Sequence, residues 1–321
     1  MPNVSTVREF LLLRFSEVRE LRLVQATLFL PVFLAALTGN LLVAAVTVLD
    51  RRLRTPMYFF LGNLSLTDLC HVSVTVPKSV VISLTDRRSI RLLGCVAQVF
   101  LVVVSATSEP VILTWMSDDR YAANCRPLSY ELITTDTARG KMAVASWLGG
   151  GLFGGLFSAW TFSLSFCGSN AVQRFFRDVP SLLKITCSEE HVAIDVSVAA
   201  GVALGVVCFI LIVVSYARIF GAVLRMPAAE GRAGAFSTCL PHLVVVTLFV
   251  VTCFCAYLKP PSDSPSTPDL LVSVFYTVVP PALNPLIYSL RNRDVKAALG
   301  SVLKGRFLLP PLRDRMSVSF S

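Results

Sequence analysis

The sequence predicts an all-α membrane protein: a seven-transmembrane helix bundle with its N-terminus outside, its C-terminus inside and a short amphipathic helix after the seventh span. Three observations lead there. Of 321 residues, 54% are hydrophobic and only 15% are charged, far from the balance of a water-soluble chain of this length. The apolar residues fall into long blocks, several of them free of any charged side chain. The Lys and Arg residues between those blocks are divided unevenly between alternate segments.

The blocks define the elements in order. Val24–Leu49, Met142–Phe166, Val196–Ala217 and Phe236–Leu258 contain no charge, and form the first, fourth, fifth and sixth spans. Met57–Thr85, the second, carries Asp68 and Lys78, and Leu92–Ser117, the third, carries Glu109. Leu270–Leu290, the seventh, is interrupted only by prolines and Asn284. Each reaches the roughly 20 residues that a helix needs to cross the hydrocarbon core. The stretch Met1–Leu23 intersperses Arg and Glu, unlike a cleaved leader, so the first span is expected to direct insertion itself. With the N-terminus outside, inner segments hold 17 Lys and Arg and outer segments 11, the asymmetry of the positive-inside rule. The chain thus divides into an outer segment 1–23, a seven-span domain 24–290 and an inner helix and tail 291–321. Past Leu290, Val295, Leu299 and Val302 recur at helical spacing opposite Arg293, Lys296 and Lys304, an amphipathic pattern suited to the membrane surface. Much of the net charge of +9 lies in this tail, which should face anionic inner-leaflet lipid. The basic residues are scattered over loops, so nucleic acid is excluded as a partner. Asn3-Val4-Ser5 is a glycan acceptor on the outer side; Asn63-Leu64-Ser65 matches the same pattern but lies inside the second span.

Ionisable groups inside spans are costly and mark function by default. Helical rise puts Asp68 and Glu109 roughly 16–18 Å above the inner boundary, Asn40 about 14 Å above it and Asn284 somewhat lower. Four spans therefore place polar groups in one mid-membrane layer. Two carboxylates in a low dielectric do not both stay ionised unless a cation or donor joins them. One reading is a bound Na⁺ or a shared proton; the other is hydrogen-bonded glue between helices, worth about 0.6–2 kcal/mol per bond.

Asp118 and Asp119 stand next to Arg120 at the inner end of the third span. Neighbouring residues on a helix point about 100° apart, so the pair does not converge on one substrate atom as a catalytic acid and base. No HExxH, GxSxG or P-loop occurs. Cys239 with His242, and Cys253 with Cys255, lack the further ligands of a metal site and read as packing residues of the sixth span. No catalytic residue is assigned, and the chain reads as no enzyme.

These motifs together resemble the olfactory (odorant) receptors among the rhodopsin-like G-protein-coupled receptors. The resemblance rests on Pro56-Met57-Tyr58-Phe59-Phe60-Leu61 with Leu66-Thr67-Asp68-Leu69, then Asp119-Arg120-Tyr121 with Cys125-Arg126-Pro127-Leu128-Ser129-Tyr130. It continues through Ser215-Tyr216, Ala235-Phe236-Ser237-Thr238-Cys239-Leu240-Pro241-His242-Leu243 and Pro281-Ala282-Leu283-Asn284-Pro285-Leu286-Ile287-Tyr288-Ser289-Leu290-Arg291-Asn292. It implies that Asp119, Arg120, Tyr121, Tyr216 and Tyr288 form the switch facing the G protein, with Asp119 restraining Arg120. It likewise implies that Asn40, Asp68, Glu109 and Asn284 form an allosteric Na⁺ layer, with no other metal or cofactor. The ligand pocket it implies, in the outer half of the bundle, is lined by Val102, Val103, Ala106, Thr107, Ala200, Leu204, Tyr257 and Thr277. That lining is mostly apolar, which suits a small neutral volatile odorant held by burial and one or two hydrogen bonds. The implied partner is a heterotrimeric stimulatory G protein that raises cyclic AMP, and the implied location is the plasma membrane of sensory cilia.

The chain departs from the family pattern in places. Arg177 stands where the family carries the loop cysteine that ties to Cys95, while Cys167 and Cys187 keep their places for a disulfide of their own. Asp118 replaces an aromatic residue, and Gly234 a lysine, at the G-protein face. These departures motivate an alternative reading, a receptor-like chain that folds poorly or couples weakly. A transporter or channel is the alternative of another class, but no internal repeat or polar path through the bilayer is present in the sequence. Restoring the loop cysteine by Arg177→Cys is expected to raise surface display of an epitope-tagged chain; an unchanged display would show that Cys95 does not require that partner.

Overall fold

The computed structural model describes residues 9–12, 19–85, 89–130, 135–164, 171–172, 192–225, 229–257, 278–289 and 292–303. Its helices are α1 (Arg19–Leu49), α2 (Pro56–Thr85), α3 (Leu92–Cys125), α4 (Asp136–Ser163), α5 (Val192–Leu224), α6 (Ala229–Tyr257), α7 (residues 278–289) and α8 (Arg293–Leu303). Six of them, α1 to α6, are long and apolar enough to cross a membrane. Of the predicted seventh span, the described part is the twelve residues of α7, shorter than a full crossing. Several helices outrun the apolar blocks. α3, for example, continues from Ser117 to Cys125 and so carries Asp118, Asp119 and Arg120 as helical residues.

Helices dominate because a backbone in hydrocarbon has no water to bond to and must satisfy itself. Side chains on the outward faces are large and apolar: Leu148, Leu152 and Leu156 on α4, and Val196, Val206, Ile210 and Leu211 on α5, are exposed. In water such stripes would drive aggregation, whereas in a bilayer they face acyl chains. The inward faces build one large core, including Val46, Leu53, Phe60, Leu64, Ile112, Met116, Ile219, Val245 and Tyr288, and a smaller cluster of Phe29, Ala36, Val72, Val76, Val80 and Val278. α3 is the spine, packed against α2, α4, α5 and α6.

Close approach of α3 and α4 depends on glycine. A Cβ on Gly150 would collide with Ser108 Oγ and come to 3.1 Å from the Val104 carbonyl, and one on Gly154 would lie 2.8 Å from Val104 Cγ2. Ser108 Oγ, in turn, donates to the Ser146 carbonyl of α4 at 3.2 Å. Near the inner side, α2 and α4 are joined by Trp147 Nε1, which donates to Asn63 Oδ1 at 3.0 Å. The second glycan sequon is therefore part of a helix contact.

The helical chain also carries one small sheet that the sequence reading did not include. A three-stranded sheet of order β2-β1-β3 joins β1 (Glu9–Leu12), β2 (Ser89–Arg91) and β3 (Ala171–Val172). β1 is the middle strand, antiparallel to β2 with Phe10 opposite Ile90, and parallel to β3 with Leu11 opposite Ala171. These segments lie at the α2–α3 and α4–α5 connections and before α1, where water meets the bundle and extended backbone finds partners in its neighbours. Periodicity was no guide, since strands of two to four residues are too short to show alternation.

At the inner side, Asp50 Oδ1 accepts from the Arg52 backbone N–H at 3.0 Å and caps a 3₁₀ turn, Arg51–Leu53, between α1 and α2. Burial alone would raise the Asp50 carboxyl; hydrogen bonds and charge from Arg52 outweigh it and hold the group below its ordinary value. α8 packs on α1 with Val295 and Ala298 buried and Lys296 exposed, the two-sided distribution its spacing foretold.

Gly150→Ala is expected to destabilise the bundle by about 1–3 kcal/mol through overpacking. Gly151→Ala, where nothing lies within 4 Å of the added Cβ, should be neutral or stabilising by up to about 1 kcal/mol. Thermal unfolding of the two variants in detergent checks the contrast, which equal shifts would contradict.

Candidate functional site

Four helices bring the polar residues of the expected layer into the bundle interior. Asn40 of α1, Asp68 of α2, Glu109 of α3 and Asn284 of α7 are all buried. Asn284 Nδ2 donates to Asp68 Oδ2 at 3.0 Å, and Glu109 lies close enough to Asp68 for their charges to interact. Asn40 reaches α7 in another way. Pro285 has no backbone N–H, so the carbonyl of Pro281 lacks its helical donor; Asn40 Nδ2 supplies one at 2.7 Å and also donates to Ala36 O at 2.9 Å. The neighbouring Gly39 makes the approach feasible, since a Cβ there would lie 3.0 Å from Pro285 Cβ.

Once these donors are spent, four oxygens remain without a hydrogen-bond partner among the described residues: Asn40 Oδ1, Asp68 Oδ1, Glu109 Oε1 and Asn284 Oδ1. A set of oxygen acceptors with two carboxylates among them fits a hard cation or a carboxyl proton. Softer metals are not indicated: among the described residues no group of three or more His, Cys, Asp and Glu is arranged to hold one.

The inner end of α3 separates its two carboxylates. Asp119 is buried and Asp118 exposed, as a 100° turn between neighbours requires. The resemblance implies that Asp119 restrains Arg120; in the structure the hydrogen-bond partner of Asp119 comes from the α3–α4 loop. Asp119 Oδ1 accepts from the Tyr130 hydroxyl at 2.8 Å and feels the charges of Arg120 and Arg139, but among the described residues no ion pair joins it to Arg120. The loop after α3 turns back through Pro127–Ser129 and delivers Tyr130 to the carboxylate first. Burial raises the Tyr130 phenol and the Asp119 charge raises it further, so it keeps its proton and donates. Arg139, which forms an ion pair with Asp136 at the start of α4, supplies positive charge nearby. Asp118 interacts electrostatically with Arg126.

Arg120 is thereby left to the other helices. Its charge acts on Tyr216 of α5, on Cys239 and His242 of α6, on Tyr288 of α7 and on Tyr58 of α2. Tyr216 and His242, both buried, share a hydrogen bond of 2.7 Å between the hydroxyl and Nδ1, and their rings stack at 5.7 Å. His242 is thus a partner in the α5–α6 contact and not a mere packing residue; its place beside Pro241 in the sixth-span motif was the available signal. The Leu113 backbone of α3 lies near the ring, whose Nε2 has no hydrogen-bond partner among the described residues. Tyr121 lies between two guanidinium groups, Arg126 at 5.8 Å and Arg218 at 5.9 Å from the ring centroid, a cation–π arrangement.

The pocket positions are only partly placed. Val102 and Val103 of α3 and Leu204 of α5 are half-buried, while Ala106 and Ala200 are exposed. Thr107 is buried and turned towards α4, near Gly150, with its hydroxyl donating to the Val103 and Val104 carbonyls at 2.8 and 3.2 Å. Its donor is therefore already used inside α3. Tyr257 ends α6, but its side chain lies outside the described residues, as do Thr277, Asn3, Cys167, Cys187 and Arg177. Cys95 is buried in the first turn of α3.

A multi-pass helical membrane protein with polar groups inside the bundle and a cluster around a half-buried arginine at one end is the class these features define. The family profile described as "Olfactory receptor" matches residues 29–306. Human Olfactory receptor 14A16 is 49% identical over 306 residues, covering 95% of this chain and 99% of that one. Human Olfactory receptor 14K1 is 52% identical over 303 residues, covering 94% and 96%, and gorilla Olfactory receptor 1G1 is 40% identical over 309 residues, covering 96% and 99%. The chain belongs to the olfactory receptor family. It is accordingly a G-protein-coupled receptor, a multi-pass plasma-membrane protein and not an enzyme.

Tyr130→Phe removes the donor from a buried carboxylate and is expected to destabilise the inner end by about 1–3 kcal/mol. Thermal unfolding should show the loss, and Asp119→Asn in the same background should recover part of it. Equal stability of Tyr130→Phe and the parent would mean that the bond carries no net energy.

Proposed function

We propose that this receptor binds a small, neutral, volatile ligand in the outer half of its bundle and activates a stimulatory, olfactory-type G protein, raising cyclic AMP. The observation that carries the proposal is the cluster around Arg120: one arginine acts on residues of α2, α5, α6 and α7 while Asp119 is held by the α3–α4 loop. With Asp119 hydrogen-bonded to Tyr130, Arg120 is held to it by charge alone and would be available to a partner entering from the inner side. Membership of the olfactory receptor family supplies the ligand class and the G protein.

In this reading α3, α5, α6 and α7 supply the pocket, through Val102, Val103, Ala106, Ala200, Leu204, Tyr257 and Thr277. Apolar burial would dominate ligand affinity at about 25 cal/mol per Å². Thr107, with its donor committed, would contribute shape and not a donated hydrogen bond. Asn40, Asp68, Glu109 and Asn284 would hold an allosteric Na⁺ that ties four helices in the resting state. The N-terminus outside, the C-terminus inside and the seventh crossing at Leu270–Leu290 belong to the same proposal, as do the three segments 1–23, 24–290 and 291–321, the glycan at Asn3 and a Cys167–Cys187 disulfide.

The test is expression with a surface tag and recording of cyclic AMP against a panel of volatile compounds. A concentration-dependent rise is expected; silence across the panel despite good surface display would favour the weakly coupling alternative, which Asp118 and Gly234 at the inner face motivate. Glu109→Ala should abolish any dependence of the response on Na⁺, and a dependence that persists would remove Glu109 from the cation site.

A further inference from the structure

The inner ends of α2 and α8 meet at one phenol. Tyr58 lies in the first turn of α2, only 6% exposed. Its hydroxyl is 3.0 Å from Asn292 Oδ1 and 3.0 Å from Asp294 Oδ2. The Asn292 oxygen is also the N-cap of α8, accepting from the backbone N–H of Asp294 at 3.0 Å and of Val295 at 3.3 Å. One hydroxyl carries one proton, and a carboxylate is the stronger acceptor of the two. The Tyr58 proton therefore serves Asp294, with the capping amide held alongside.

The surroundings make this contact a hinge point. Two backbone bonds link the described residues on either side of the junction: Asn292 N–H donates to Tyr288 O at 3.0 Å, and Lys296 N–H to Asn292 O at 3.0 Å. On its apolar side α8 is seated by buried Val295 and Ala298, in the same core as Leu53. On its polar side it is touched by Tyr58, and Asp294 also feels the charge of Arg52. Arg52 is itself pinned on Asp50 at 3.2 and 3.3 Å. Ten residues deeper along α2, Asp68 holds Asn284 of α7. α2 thus grips the α7–α8 segment at two levels, at the polar layer and at the elbow.

We propose that Tyr58 is a positioning residue for signalling: by holding Asn292 and Asp294 together it fixes the angle at which α8 leaves α7, and so the inner surface that α8 presents to the G protein. The proposal rests on the receptor reading above, and its test separates the two.

The purified full chain, reconstituted in nanodiscs, is compared as Tyr58→Phe, Asp294→Ala and the double variant by hydrogen–deuterium exchange of residues 292–303. Each single change should speed exchange of the α8 amides about tenfold, the scale of one charge-assisted hydrogen bond. The double variant should add nothing to the larger single effect, and peptides of α1 to α6 should be unchanged. Unaltered α8 exchange, additive effects, or loss spread over the whole bundle would each overturn the clamp. If Tyr58→Phe does not fold, Asp294→Ala at its exposed position carries the measurement. Agonist-independent cyclic AMP per surface receptor should fall severalfold in Tyr58→Phe and Asp294→Ala. It should remain near the parent value in Asp294→Asn, which keeps an oxygen for the phenol to donate to. Output that stays at the parent level while α8 is loosened would refute the signalling role. A parent chain silent in this assay would count against the receptor reading instead, and the exchange data would still decide the clamp.

Discussion

Hydrocarbon offers no partner to a polar atom, and the bundle is arranged around that constraint. The Pro281 carbonyl shows it most directly. Pro285 deprives it of a donor, Gly39 lets α1 approach, and Asn40 completes the bond. That contact fixes α1 against α7; Asp68 and Asn284 fix α2 against α7 in the same layer. Removing an N–H from α7 therefore opens a carbonyl to another helix, and the bond it accepts builds the tertiary structure.

α3 distributes the remaining roles along its length. At mid-depth its small residues meet the glycines of α4, which lets the two backbones nearly touch. One turn deeper, Glu109 faces the polar layer. At the inner end its two carboxylates are assigned to different partners, Asp119 to Tyr130 and Asp118 to the field of Arg126. Arg120 then acts across the bundle on tyrosines from three other helices. A rigid spine with separate commitments at each depth allows the inner end to rearrange while the α3–α4 seam stays closed.

Much of this was legible in the sequence, for physical reasons that differ by residue. Charge-free blocks reveal spans because charges in hydrocarbon are expensive, and residue counting from the block ends gave the depth of Asn40, Asp68, Glu109 and Asn284. The difference between Asp118 and Asp119 followed from helical geometry alone. The partner of Asp119 did not, because Tyr130 lies eleven residues on and reaches it only through the turn at Pro127–Ser129. His242 was misread for a similar reason: its partner Tyr216 is on another helix, and spacing within one helix carries no information about that pairing. The sheet of β1, β2 and β3 was missed because its strands are too short for a period. The roles of the polar residues came from family motifs, which spacing could not have assigned.

The polar groups left over in the bundle have a direction. In the mid-membrane layer they are acceptors: oxygens of Asn40, Asp68, Glu109 and Asn284. Towards the inner end the balance shifts to donors and positive charge: His242 Nε2, the Trp115 Nε1 and Arg120. Tyr288 stands between the two, buried, with a hydroxyl that has no partner among the described residues and a position that feels Asp68, Glu109 and Arg120 alike. A hydroxyl is both donor and acceptor, so it is the one group here able to serve either side, donating upward to the acidic layer or accepting from below. Which side it serves depends on the charge of that layer. A cation or proton held there weakens its pull on the Tyr288 proton, and emptying it strengthens that pull. Tyr288 thus sits between the acidic layer and Arg120 on α7, the helix that both Asn40 and Asp68 hold in place.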